Sequence, residues 1–220
     1  MEHLEITKTS EGFHIEGFPD AVKVFRIDGP KAQRLADLAL HKADLDFALE
    51  CLEQINNTPE QPYVSRQALW RSAVVHYMKC FGRHESRFSL VRQKVYKGDP
   101  GAIEPFEYFD SLRNKHLVHD ENSYAQCLPR AILNKKDVDH KIAKITCLSV
   151  IGDTLARENY NNLHLLVIKA REWVVDQFDK LCNVLTAELE GEAYDALVER
   201  QGITYSRPGV DQMHTQRGAL

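Results

Sequence analysis

The chain has 220 residues and no cysteine pair of the CxxC kind. Its five cysteines, Cys51, Cys80, Cys127, Cys147 and Cys182, are odd in number and scattered. That pattern argues against a zinc ribbon or a disulfide framework, and reads as reduced thiols in a cytoplasm. Long apolar runs are missing too. The longest strongly apolar stretch, LHLLVI from Leu163 to Ile168, is far short of the roughly 20 residues that span a bilayer. The opening MEHLEITKTSEGFHIEG lacks the apolar centre of a signal peptide. There is no internal repeat and no low-complexity segment. The expectation is a soluble, cytoplasmic protein with no membrane partner.

Net charge is small, −4, and does not by itself favour a nucleic-acid partner. Its distribution is uneven. From Arg66 to Lys97 eight basic residues (Arg66, Arg71, Lys79, Arg83, Arg87, Arg92, Lys94 and Lys97) face only Glu85, so the segment carries +7. The acids concentrate in the first long helical segment and near the C-terminus. A local positive surface of this kind holds polyanions, with Arg83, Arg87 and Arg92 as candidate contacts. The plainer reading is helix-face charge paired with the acidic segments.

What is present in abundance is helical periodicity. Asp28-Gly29-Pro30 marks a helix start, and Leu38, Leu45, Leu49 and Leu52 make one apolar stripe over about 30 to 56. Trp70, Ala73, Val74, Tyr77 and Phe81 share a face of a second helix over about 63 to 82, with Gly82 as its terminator. A third begins near Glu104-Pro105, buries Phe106, Phe109 and Leu112, and runs toward His119, with Asp120 to Asn122 ending it. A last long helix covers about 160 to 189, and GEAYDALVERQG adds a short one. Between the third and the last long helix the period changes. YAQCLPRAI and KIAKITCLSVI, separated by LNKKDVDH, read as a β-hairpin. FHIEG and VKVFRI near the N-terminus suggest one or two short strands.

The expected fold is therefore mainly α: a four-helix up-and-down bundle with a β-hairpin inserted at about 123–151. Residues 1–29 form an N-terminal strand segment, 30–200 the bundle, and 201–220 a polar tail.

The segment SLRNKHLVHDEN, from Ser111 to Asn122, packs chemistry most densely. Arg113 is followed after five intervening residues by His119. Spacing alone is not selective, because Arg34/His41, Arg71/His76, Arg157/His164 and Arg207/His214 are comparably placed. Of these five pairs, only that of Arg113 has Asn, Asp or His directly after the arginine, here Asn114. On an unbroken α-helix six residues turn through about 240° net and rise about 9 Å, which puts the two groups on different faces. They converge only if the helix ends or distorts near Val118, or if two chains each contribute one motif. His116 and His119 share a face more readily and, with Asp120 and Glu121, suggest a metal site. No further ligand cluster stands out, and no metal or cofactor is expected.

LRNKHLVH resembles the Arg…His motif of HEPN domains, in which a polar residue commonly follows the arginine. The helix WRSAVVHYMKCFG ahead of it is similar to the branch named after AbiU, a phage abortive-infection protein. The resemblance covers roughly residues 35 to 190 in order of elements, and only 111 to 120 carries a specific motif. It implies a four-helix bundle, a homodimer, RNA as substrate and metal-independent cleavage, in phage defence or in a toxin system with an unidentified antitoxin. Arg113, Asn114 and His119 match the motif, with Lys115 and His116 as auxiliaries. HepT-like members carry a tyrosine two residues after the histidine; Glu121 stands there, so control through that tyrosine is not expected. The alternative is a non-catalytic RNA- or nucleotide-binding module, or a protein-interaction bundle.

Overall fold

The computed structural model describes residues 6–9, 12–15, 17–83, 86–119, 124–203, 209, 210 and 213. The chain is mainly helical. In order it has β1 (Ile6–Thr9), β2 (Gly12–Ile15), α1 (Pro30–Asn57), α2 (Tyr63–Lys79), α3 (Arg92–Val95) and α4 (Ile103–Leu112). Then come β3 (Ala125–Leu133), β4 (Ile142–Ile151), α5 (Arg157–Glu190) and α6 (Tyr194–Glu199). β1 pairs antiparallel with β2, and β3 with β4. The chain divides into two units. One comprises Met1–Ala43, Arg83–Ser89 and Arg171–Leu220, and the other Asp44–Gly82 and Leu90–Ala170.

Several sequence expectations meet small differences. α1 starts at Pro30, whose fixed φ suits a first helical position. Leu38, Leu45 and Leu52 are fully buried, whereas Leu49 is half-buried and Ala48 takes the buried position beside it. α2 stops at Lys79, and Gly82 does not close it in a left-handed conformation; the positive φ values fall on Gly17, Gly29 and Gly98. VKVFRI forms no strand among the described residues, only a bridge of Phe25 to Gly202. Most of the basic stretch after α2 is irregular, with the single turn of α3 inside it. The expected helix end at Asp120 to Asn122 and most of the tail lie outside the described residues.

In the first unit, Phe88 is held on α1. The Phe88 N–H donates to the Asp37 carboxylate (3.2 Å), and its carbonyl accepts from His41 Nε2 (2.8 Å). A carbonyl only accepts, so the proton sits on Nε2. The Phe88 ring lies under the Arg34 guanidinium (4.4 Å) and edge-on to the His41 ring (5.1 Å). Elsewhere in this unit Arg200 reaches both carboxylate oxygens of Glu192 (2.7 Å) and stacks on Phe25 (5.3 Å).

In the second unit, Tyr77, Phe81, Tyr96 and Phe106 form an aromatic cluster; the Phe81 and Phe106 rings meet edge-on at 4.9 Å. Trp70 packs edge-on to Phe109 (6.0 Å) and donates its indole N–H to Thr154 (2.9 Å). That bond ties α2 to the chain just before α5. Tyr160 donates to the Leu52 carbonyl (3.0 Å), and Arg66 to the Ile55 carbonyl (3.0 Å) in the last turn of α1. Two buried phenols are paired here. Tyr96 donates to the Leu166 carbonyl (3.1 Å), so the short Tyr77–Tyr96 bond (2.6 Å) has Tyr77 as its donor. Burial pushes both phenols above their ordinary range, and it raises Tyr108 to about 12.

Tyr96→Phe strands the buried Tyr77 hydroxyl, while the Leu166 carbonyl keeps its place in the α5 ladder, and is expected to cost about 1–3 kcal/mol in urea unfolding. Tyr77→Phe leaves Tyr96 bonded and should cost only ~1 kcal/mol. On the alkaline side, the native state keeps phenol protons that the unfolded chain releases from pH 10 upward, the ordinary value for tyrosine. A raised native pKa means stability is complete below that value and falls as pH rises through it. Thermal melts recorded across that range should show a falling melting temperature.

Candidate functional site

The candidate site grows out of the end of α4. Phe106, Phe109 and Leu112, at helical spacing, are buried and fix the helix on the core of its unit. Immediately after Leu112 the backbone widens into a π-helical stretch, Arg113–Val118. It closes with the His119 N–H on the Asn114 carbonyl (3.2 Å), a five-residue step, and His119 itself is extended at φ −121°, ψ 138°. The helix thus distorts and ends between Arg113 and His119. Such π-helical turns recur at functional sites.

Within that turn, Arg113 and Asn114 are brought together. Arg113 Nη1 donates to Asn114 Oδ1 (2.5 Å), and Asn114 Nδ2 donates to Asp110 Oδ1 (3.0 Å). The amide is thereby oriented, its oxygen on the guanidinium and its nitrogen on the carboxylate. Among the described residues Asp110 reaches Arg113 through this amide, and Glu107 pairs instead with Arg92 (3.0 Å). One of the five guanidinium N–H donors is used in this contact. Arg113 is half-buried, while Lys115 and His119 are exposed. Among the described residues of one chain, no hydrogen bond joins His119 to Arg113.

His116 takes a different environment. It is half-buried, its Nδ1 is enclosed with no hydrogen-bond partner among the described residues, and its ring lies 5.5 Å from that of Tyr124. Tyr124 precedes β3, and its carbonyl accepts from the Gly152 N–H (2.7 Å) at the base of the hairpin. Its hydroxyl is bonded to Tyr108, which also accepts from Asn159 Nδ2 (3.0 Å). A polar chain therefore runs from α5 through Tyr108 on α4 to Tyr124 beside His116. Burial, and then Tyr124, hold the Tyr108 phenol at about 12, so it remains a proton donor near neutral pH. Sequence reasoning misses Tyr108, Tyr124 and Asn159 because no spacing rule joins three separate segments.

The basic segment is committed in part, while Arg71, Lys94 and Lys97 on it are exposed. Arg87 is buried, at 9% exposure, which corrects its reading as a surface contact for a polyanion: it lies in the segment held on α1 by Phe88. Arg92 donates to Glu107 and lies over the Phe106 ring (5.6 Å). Asp44 accepts from His76 (2.8 Å) and Lys79 (3.0 Å), as the pairing reading expects of an acid on α1. Arg83 is exposed and belongs to the other unit.

Gly152 offers a test of the Tyr124–His116 contact. A β-carbon there would fall 2.7 Å from the Tyr124 ring, so the ring must move. In Gly152→Ala the Tyr108 phenol should titrate closer to the ordinary tyrosine value, and the His116 ring resonances should shift. Unchanged spectra would show that the ring does not depend on the glycine.

No helix among the described residues is long and apolar enough to cross a membrane. Comparison with known proteins finds no matching family model, no similar curated protein and no similar solved structure.

Proposed function

We propose that the chain is a metal-independent endoribonuclease of the HEPN type, acting as a homodimer whose two Arg113…His119 motifs face one RNA linkage. The observation that carries this reading is the helical distortion between Arg113 and His119, which frees the motif from α-helical spacing. α1, α2, α4 and α5 supply the four helices of an up-and-down bundle in the same proposal, with the β3–β4 hairpin as the insertion. Phage defence or a toxin system with its own antitoxin is the setting the resemblance suggests.

The chemistry needs a base, an acid and charge stabilisation. One His119 takes the proton from the ribose 2′-hydroxyl, and the O2′–P bond forms. The second copy's equivalent histidine gives a proton to the departing 5′-oxygen as the P–O5′ bond breaks. Imidazole suits both steps, with an unperturbed pKa of about 6.5. Arg113 offers its remaining donors to the phosphorane oxygens, and Asn114 holds the guanidinium in place. The products are a 2′,3′-cyclic phosphate and a 5′-hydroxyl, with no metal in any step.

A second reading, a non-catalytic RNA-binding or protein-interaction module, draws support from the cations already paired with acids, such as Arg92 with Glu107, and from the apolar hairpin. Incubation with total RNA in EDTA separates the two. The ribonuclease reading expects fragments ending in 2′,3′-cyclic phosphate. Arg113→Ala and His119→Ala should each reduce cleavage by about 10²–10⁴-fold while leaving circular dichroism and melting unchanged. Asn114→Ala should lose less, since it acts through Arg113. Binding without cleavage in the unmodified protein selects the second reading, and cleavage persisting in both alanine variants removes the assignment.

A further inference from the structure

Asp110 stands three residues before Arg113 at the end of α4, a spacing at which an acid and an arginine on a helix pair directly. Among the described residues no ion pair joins them. The carboxylate instead accepts from Asn114 Nδ2 (3.0 Å), and Asn114 Oδ1 accepts from Arg113 Nη1 (2.5 Å). Only one orientation of the amide satisfies both ends. A guanidinium donates and an ionised carboxylate accepts, so a flipped amide would set donor against donor and acceptor against acceptor. The carboxylate therefore dictates which end of Asn114 meets Arg113.

The helix keeps that carboxylate in place. Phe109, its neighbour in the chain, is fully buried, and Phe106 and Leu112 are buried on the same helix, so α4 is not free to rotate. The preceding acid of α4, Glu107, is already taken by Arg92 (3.0 Å). Asn114 and Arg113 are both half-buried, which limits the competition of water for the two bonds.

We infer that Asp110 is a positioning residue for Arg113, acting through Asn114, and that the amide keeps the carboxylate off the guanidinium so that its charge stays available to a phosphate. A direct pair would hold Arg113 as firmly. It would also occupy the fork of donors and cancel the charge that a phosphate needs. A neutral amide passes on orientation alone and leaves the remaining N–H donors open. The effect on catalysis rests on the ribonuclease reading, whereas the relay and the open guanidinium do not.

Cleavage of a short RNA is measured in the full-length protein, in Asp110→Ala, in Asn114→Ala and in the double variant. Asp110→Ala should lower kcat about tenfold with KM little changed, the scale of one hydrogen bond to a charged group. The double variant should be no slower than Asn114→Ala, because a residue that acts through another adds nothing once that one is gone. Asp110→Asn, whose side-chain carbonyl still accepts, should recover most of the loss. Asn114→Asp sets a carboxylate on Arg113 itself. It should raise KM about tenfold and lower the slope of log KM against log salt by about one. Losses that multiply in the double variant, or an Asp110→Ala protein as fast as the unmodified one, would overturn the inference. If the unmodified protein does not cleave RNA, the ribonuclease reading falls and NMR decides this one. The Asn114 side-chain amide signals should move in Asp110→Ala. Inorganic phosphate should shift the Arg113 Nε–H signal in the unmodified protein and far less in Asn114→Asp. Amide signals unmoved by Asp110→Ala, or equal phosphate shifts in the two proteins, would overturn the relay.

Discussion

The hydrogen bond from the His119 N–H to the Asn114 carbonyl (3.2 Å) is the constraint on which the candidate site depends. It closes a five-residue step where an α-helix would close four, and with it the backbone leaves helical space at His119. Without it, α4 would carry Arg113 and His119 round to different sides of one cylinder. The turn has a firm foundation in Phe106, Phe109 and Leu112, which hold α4 to the core immediately before the change. Its N-terminal end is braced by the Asp110–Asn114–Arg113 chain and its middle by Tyr124 against His116. A catalytic geometry needs this kind of support, because side chains on a free loop lose their mutual placement.

Charge tells a more sober story than the basic segment's net count. Arg66 caps a carbonyl, Lys79 shares Asp44 with His76, and Arg92 is divided between Glu107 and Phe106. These contacts orient neighbouring elements and lower the charge left for a polyanion. Of the eight basic residues in that segment, Arg71, Arg83, Lys94 and Lys97 stay exposed outside these contacts.

The long helices are legible in the sequence because their apolar residues recur every three or four positions, and that period has few competing explanations. α1 begins at the proline that marks it, and the hairpin appears where the period shifts to two. Less accessible is whatever depends on contacts between distant segments. Arg87 counts as a surface charge in any tally of composition, and only packing beside Phe88 reveals it as buried. The π-helical turn has no residue signature, since RNKHLV is compatible with a continuing α-helix. Tyr124 reads as the first residue of a strand, yet its importance comes from Gly152 and Tyr108, residues that lie on either side of it in the chain. The division into two units is hidden for the same reason, since each is assembled from discontinuous stretches.

Phe88 is gripped through both its ring and its backbone, by Arg34, Asp37 and His41 together. Ring and backbone answer to different neighbours, so a replacement at 88 has two ways to fail: a small side chain empties the space beneath the guanidinium and beside the imidazole, and a proline forfeits the N–H that the carboxylate accepts.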